Sequence, residues 1–594
     1  MNEITTTFLS FTCYGGYLEE VALSEKVAYL KRTKTPRKPF HRSSSYSASM
    51  VGLSKVLFWG ELKDEVPEEY LSHKERYESA VRKACILTNV LKNHILADSS
   101  SIQKGIIKDV SPFMLHMGMF LPTIATQASS DQLAEWLPKA WNMEITGTYA
   151  QTELGHGTFL RGLETTATYD PKTEEFIIHS PTLTSNKWWP GGLAQTVNHC
   201  IVVAQLYTNG QCYGVHPFFV QIRDMETHMP LPGVKVGEIG PKLGFQTANN
   251  GFLSFNNFRI PRKNMLMKNA QVLKDGTYIK SKNDKLTYGT MVFVRVTIVA
   301  DVAYDLAMAS TIAVRYSAVR HQSITIFLHS QSQPEPQILD YVTQQHKVFI
   351  AVSTSHVFRI VGSWLWTTYS NVIRNIQKGN MDQLPELHAI ACCLKAVCSR
   401  DAAARVEECR LACGGHGFMT SSNLPIINGQ VSATITYEGE FTVLMLQTKV
   451  GTYLYQIGYL QAHCRAVLCE VSWREVNRLA ASVSTELAAV LRQLVELYLV
   501  YWTLETRGDL LLVNDLTSLQ YRYEELLALI RPNAVAIVDG FDIKDEILNS
   551  TLGSYDGRVY ERLMEEALKS PLNKEPVNKS FHQYIKPLIA KGKL

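Results

Sequence analysis

Two short segments concentrate residues able to hold a ligand closely: Thr148-Tyr-Ala-Gln-Thr-Glu-Leu-Gly-His-Gly-Thr158 and Lys187-Trp-Trp-Pro-Gly-Gly192. Gly155, Gly157, Gly191 and Gly192 lack Cβ atoms, so the backbone there can approach another surface. Thr148, Gln151, Thr152 and Thr158 add hydroxyl and amide groups that suit the polar edge of a flat heteroaromatic ring. The paired indoles of Trp188 and Trp189 offer an apolar wall, over one face of such a ring or beside a neighbouring apolar pocket. The combination suits a flavin cradle. The same residue types also make ordinary turns and strand ends, and on chemistry alone both readings stand.

The elements that must position these groups change character along the chain. From Glu68 to about Ala140, apolar residues recur at helical spacing, as in Tyr77, Val81, Cys85 and Leu91, or Trp136, Leu137 and Ala140. Between Gly147 and Leu273, runs such as Phe176-Ile-Ile178, Cys200 to Leu206 and Tyr213 to Val220 alternate with Asn-Gly and Pro-Gly turns, which predicts a β-barrel or sandwich. After Leu286 the pattern is helical again, over Met291–Val314, Gln337–Ile373 and Leu387–Ala412. A last helical block from about Ala462 includes Leu487–Leu504 and Glu524–Ile530. The expected class is α+β and multidomain: an atypical segment 1–66, a helical domain 67–147, a β-domain 148–280, a helical bundle 281–455 and a second helical domain 456–594.

With 594 residues, the chain is too long for a single core. Its net charge of +4 is too small to point to nucleic acid. A basic run, Lys31 to Arg42, and the serines after it read as a surface or linker segment. Eleven cysteines without a secretory leader predict free thiols in a reducing compartment. Cys392, Cys393, Cys398, Cys409 and Cys413 lie near His416, but their spacing is not that of metal knuckles, and no metal is expected. No unbroken apolar run of about 18 residues occurs, so no membrane span is expected either. The ending Gly592-Lys593-Leu594 lies one residue from a Ser-Lys-Leu peroxisomal address.

Further motifs are Lys285-Leu-Thr-Tyr-Gly-Thr-Met-Val-Phe-Val-Arg295, Arg315-Tyr-Ser-Ala-Val-Arg-His-Gln-Ser323, Ala412-Cys-Gly-Gly-His-Gly417 and Tyr437-Glu-Gly439. With the cradle segment, and with Tyr523–Asp539 and Leu552–Gly557 in the tail, they resemble the peroxisomal acyl-coenzyme A oxidases, most of all the straight-chain branch. The resemblance runs from about Tyr70 to Gln447 and resumes in the tail. It implies an FAD-dependent enzyme that desaturates fatty acyl-CoA to the trans-2-enoyl thioester and passes electrons to O2, giving H2O2, as the first step of peroxisomal β-oxidation.

That resemblance assigns roles residue by residue. Glu438 becomes the base that takes the α-proton, its amide N–H polarising the thioester carbonyl. Tyr149, Ala150, Gln151, Thr152, Gly157, Thr158 and Gly191 become flavin contacts. Arg320 is expected on the FAD pyrophosphate of a partner subunit, with Gly414 and Gly415 near the adenosine half, which implies a homodimer or a heterodimer with a related oxidase. Lys285, Tyr288 and Arg295 fall in the segment that contacts acyl-CoA, and the C-terminal tripeptide would meet an import receptor. Residue chemistry keeps rivals open: Glu438 as a helix N-terminal carboxylate, Glu440 as the alternative base, Arg320 as a solvated arginine, Arg295 as a structural ion pair.

Two departures from the family pattern bear on activity. Phe441 stands where an asparagine is usual. After Gln447 the chain passes almost directly from Thr448–Gly458 to Gln461-Ala-His-Cys464, so the second helical domain is expected to be shortened, with uncovered apolar faces. A dehydrogenase that uses a protein electron acceptor, or a weakly active acyl-CoA-binding paralogue within a heterodimer, are the alternatives.

Overall fold

The computed structural model describes residues 62, 64, 66–92, 105–280, 289–323, 335–447, 455–506 and 513–591. Lys285, Tyr288, the basic N-terminal run and Gly592–Leu594 lie outside them.

Helix α1 (His73–Lys92) turns Ala80, Ala84 and Leu87 inward, the i, i+4, i+7 stripe of a one-sided helix. After α2 (Leu121–Gln127), helix α3 (Ser130–Trp141) starts at a capping box in which Ser129 and Gln132 satisfy each other's backbone N–H. The Gln132 amide also donates to the Lys263 carbonyl at 2.7 Å, and Trp136 stacks on Phe219 at 4.1 Å, fastening this helical region to the β-domain.

The β-domain is built round β5 (His199–Thr208), a ten-residue strand buried along most of its length. On one edge β5 pairs in parallel with β1 (Gly147–Ala150) along its first half and with β2 (Thr166–Asp170) along its second. The other edge carries β6 (Gln211–Gln221), antiparallel. Beyond β2 come β3 (Glu175–His179) and β9 (Phe258–Pro261). A second sheet of three strands joins β4 (Lys187–Trp188), β8 (Gly251–Phe255) and β7 (Val234–Glu238). Because β1 and β2 share one edge, the chain between them, Gln151 to Thr165, must leave the sheet and return. The cradle segment occupies that excursion.

The long helices α4 (Gly289–Val319), α5 (Val342–Gln377) and α6 (Leu384–Ala412) pack together, followed by α7 (Leu424–Thr434) and α8 (Phe441–Gln447). Then α9 (Tyr455–Ala480), α10 (Thr485–Glu505) and α11 (Val513–Ile530) pack on the same core. Two helices, Val342–Ile376 and Thr485–Glu505, are long and apolar enough to cross a membrane by composition; most of the first is buried inside the protein. The apolar face of α9 is covered rather than bare: Cys464, Leu468, Val471 and Val476 are buried. Exposed apolar side chains gather further on, at Met564, Leu568, Leu572 and Leu588.

Arg315 on α4 joins two distant motifs. It donates to the Asp539 carboxylate at 2.9 Å and to the Gly553 carbonyl at 2.7 Å, so the tail is bound to the bundle. The β-domain meets the bundle through Leu243-Gly244-Phe245. A Cβ added to Gly244 would lie 2.6 Å from the carbonyl carbon of Gly429 on α7. That contact is backbone against backbone and leaves nothing to rotate away. Gly244→Ala is expected to destabilise the protein by about 1–3 kcal/mol through overpacking, read as a lowered unfolding midpoint in urea; an unchanged midpoint would show that the junction yields.

Candidate active site

The cradle begins on β1, which the sequence pattern did not distinguish from loop. Ala150 is fully buried, Tyr149 and Gln151 are half-buried, and the Tyr149 hydroxyl donates to the Gln151 side-chain amide oxygen Oε1 at 3.2 Å. Thr148 departs from expectation. It is fully buried and its hydroxyl donates to the Gly191 carbonyl at 2.8 Å, so it ties the two cradle segments together and is spent on the backbone. Thr152 and Thr158, by contrast, have side-chain hydroxyls with no partner among the described residues, and a Cβ on Gly157 would meet open space. Trp188 stacks on Phe252 with ring centres 6.1 Å apart, while Trp189 holds φ +89° and is exposed.

One buried cation holds this excursion in shape. Val203 lies between the stretches of β5 paired to β1 and to β2, and the Lys187 ammonium donates to its carbonyl at 2.7 Å. The same ammonium donates to the Gln151 carbonyl at 3.1 Å and to Glu153 Oε1 at 2.9 Å. Glu153 also accepts from the Glu164 and Thr165 amides and from the Thr165 hydroxyl. Glu153, His156 and Glu164 form the one group among the described residues with metal-ligand spacing, but donors already saturate Glu153.

The second part of the site is the turn between α7 and α8. Glu438 sits there at φ +56°, a left-handed conformation that costs a non-glycine residue about 1–3 kcal/mol. Three cationic contacts hold it: Arg295 Nε donates to the Glu438 carbonyl at 3.0 Å, and the Lys395 ammonium donates to the Tyr437 and Gly439 carbonyls at 2.6 Å each. The residue as a whole is half-buried, yet its Oε2 is closed to solvent and has no hydrogen-bond partner among the described residues. Burial pushes the Glu438 carboxyl above the ordinary carboxylate range, against the pull of Arg295 and Lys395. From the β-domain, Phe245 meets the Tyr437 ring edge-on at 5.9 Å.

The neighbouring carboxylate behaves differently. Glu440 Oε2 accepts from the amides of Thr442 and Val443 at 2.8 and 3.2 Å, capping α8. Glu440 therefore takes the helix-terminus role, and Glu438 is left without one. Phe441 turns onto α6, where the Arg400 guanidinium lies 4.1 Å from its ring centre. Arg295 is a buried guanidinium that grips the Glu438 turn and Cys392 Sγ, the latter at 3.1 Å, in line with the structural role the sequence left open for it.

A third group stands at the end of α4. The Arg320 guanidinium meets the Tyr560 hydroxyl, and Tyr316, one turn earlier, packs edge-on against His416. Gly414, at φ +60°, and Gly415 are exposed, and a Cβ on either would meet nothing. The ten described cysteines are all free thiols.

Family models for the acyl-coenzyme A oxidase N-terminal region, the acyl-CoA oxidase C-alpha1 domain and acyl-CoA oxidase match residues 60–146, 288–453 and 450–590. Acyl-coenzyme A oxidase 1 of Drosophila melanogaster is 46% identical, over 89% of this chain and 92% of that relative. The chain belongs to the acyl-CoA oxidase family. The human peroxisomal acyl-coenzyme A oxidase 1 is 42% identical over 88% of this chain and 92% of its own. Among solved acyl-CoA oxidases, the Caenorhabditis elegans acyl-CoA oxidase-2, bound with FAD, ascaroside-CoA and ATP, superimposes with a TM-score of 0.88 at 33% identity, covering 99% of this chain and 97% of that one. The Arabidopsis thaliana acyl-CoA oxidase 1 gives 0.87 at 32%, covering 96% and 97%. The helical, β and helical order expected from the sequence is thus that of a family of FAD-dependent oxidoreductases.

Sequence reasoning missed Lys187, Phe245 and Lys395. Lys395 left a signal: it is one cation in the otherwise apolar run Ala389 to Cys398, where a charge needs a buried partner. Lys187 is the sharper structural test. Lys187→Met strands the Glu153 carboxylate and the Val203 carbonyl, and is expected to cost about 3–5 kcal/mol, measured as a fall in unfolding free energy. Adding Glu153→Gln should recover part of that loss; a single variant as stable as wild type would contradict the role assigned to the ammonium.

Proposed function

We propose that the chain is an FAD-dependent acyl-CoA oxidase, converting fatty acyl-CoA to the trans-2-enoyl thioester with O2 as electron acceptor, in peroxisomal fatty acid β-oxidation. The observation that carries the reading is a buried, unpartnered carboxylate oxygen at the position of the family's base. A proton acceptor working on the α-carbon of a thioester needs an oxygen without competing donors and a pKa raised towards the working pH. Glu438 meets both conditions, and its backbone N–H has no acceptor among the described residues. That N–H suits the thioester oxygen, where one such donor is worth about 3 kcal/mol of barrier.

The residues present fit a flavin. Tyr149, Ala150, Gln151, Thr152, Gly157, Thr158 and Gly191 would hold it, the open space at Gly157 and the unspent hydroxyls of Thr152 and Thr158 being the features that suit its ring. Arg320, Gly414 and Gly415 would complete the site of a partner subunit, since a guanidinium suits pyrophosphate and the glycines present bare backbone. FAD supplies the hydride acceptor for the β-carbon. The protein orients the thioester, takes the α-proton at Glu438 and keeps water from the carboxylate. Lys285 and Tyr288 are assigned to acyl-CoA, in keeping with the resemblance. Relatives named peroxisomal oxidases support the location, to which the C-terminal tripeptide would direct the chain.

The base must be ionised to act, so the rate of substrate-driven flavin bleaching should rise with pH, with a midpoint above the ordinary glutamate value of 4.5. Glu438→Gln should lower that rate by at least about 100-fold, whereas Glu440→Gln, which still caps α8, should change it little. Stopped-flow bleaching under anaerobic conditions reads both, and peroxide release in air completes the assignment. Equal losses at the two positions would refute the choice of base.

A further inference from the structure

Lys395 lies in the middle of α6, fully buried, in a place where its cost demands a reason. Among the described residues it makes no carboxylate contact within hydrogen-bond distance. Its two bonds of 2.6 Å go to the carbonyls of Tyr437 and Gly439, the residues on either side of Glu438. Its ammonium also lies 5.9 Å from the Tyr437 ring centre. Arg295 on α4 holds the carbonyl between them, at 3.0 Å. Three successive carbonyls are therefore drawn onto two cations, which sustains the left-handed backbone of Glu438.

We propose that Lys395 is a positioning residue for the oxidase reaction: its ammonium pins both neighbours of Glu438 and sets the electrostatic field in which that carboxylate takes up and releases a proton. The inference rests on Glu438 as the base. The groups facing this ammonium are Glu438 and Glu440 from the turn, Arg295 from α4, and Cys392 one turn earlier on its own helix. Cys392 in turn faces Arg295 and, at 3.8 Å, His388. Burial draws the Lys395 ammonium down to about 7, with Glu438 opposing. Charge on Lys395 stabilises ionised Glu438, so removing that charge raises the carboxyl pKa further and moves the acid limb of the rate to higher pH.

The experiment measures anaerobic flavin bleaching by acyl-CoA from pH 5.5 to 9 for wild type, Lys395→Met and Lys395→Arg, with flavin content and KM beside it. Lys395→Met should shift the acid limb upward by about one unit or more and lower the rate at pH 7 by about ten-fold or more. KM and flavin content should hold within about three-fold, because both bonds of the ammonium go to the backbone of the Glu438 turn. Lys395→Arg, which keeps the charge, should leave the limb near its wild-type position even where geometry costs rate. Loss of rate in both variants with no movement of the limb would mark Lys395 as merely structural and overturn the proposal, as would a Met variant with wild-type rate and limb. If Lys395→Met does not fold, Lys395→Gln gives the same reading; failure of both to fold assigns the ammonium to stability and overturns the proposal as well. Glu438→Gln with undiminished bleaching would instead remove the base assignment itself, whatever the Lys395 variants do.

Discussion

The site depends on putting one carboxylate, one ammonium and one guanidinium out of water in the same small volume. Each burial is costly alone, and the arrangement persists because the two cations are bonded to carbonyl oxygens and to the field of the carboxylate. Glu438 is denied the hydrogen bonds that would stabilise its charge, so it remains a stronger proton acceptor than a solvated carboxylate. Its backbone strain is carried by helices α4 and α6, which approach the turn from two sides. Those helices are long and supply much of the bundle's core, and that packing lets their cations hold a turn in place.

A comparable device shapes the β-domain. A strand that is paired with two partners on one edge leaves carbonyls in the gap, and the chain leaving that gap is the segment with the cradle glycines and threonines. Lys187 closes the gap from within the core. Thr148 then bonds the first cradle segment to the second. Both halves of the site, the ring cradle and the base, thus rest on buried lysines that donate to backbone carbonyls. The junction at Gly244 and Gly429, with Phe245 against Tyr437, brings the two halves into one body.

Much of this was legible in the sequence, for identifiable reasons. Helices α4, α5 and α6 announced themselves by long apolar periodicity, and their observed ends lie within a few residues of those expected. Strands β5 and β6 were legible from β-branched runs, whereas β1 was not, because Gly147-Thr-Tyr-Ala150 is too short and too mixed to show alternation. Glu438 was found through its motif, but its separation from Glu440 needed coordinates: both are glutamates flanking a glycine, and only geometry reveals which one caps α8. The backbone partners of Thr148 and Arg295 were not legible, since a hydroxyl or guanidinium in a ligand-rich motif carries no mark of its direction. The roles of Lys187 and Lys395 went unseen because most of their partners are backbone carbonyls, which every residue possesses.

The central claim is that the Glu438 carboxylate removes a proton from the α-carbon of a bound acyl thioester. Deuterium uptake at that carbon, followed by mass spectrometry after incubating flavin-loaded protein with acyl-CoA in D2O without oxygen, isolates this event from oxygen chemistry. The account predicts incorporation by the wild-type protein and by Glu440→Gln, and none above background by Glu438→Gln. Incorporation at an undiminished rate in Glu438→Gln would contradict it.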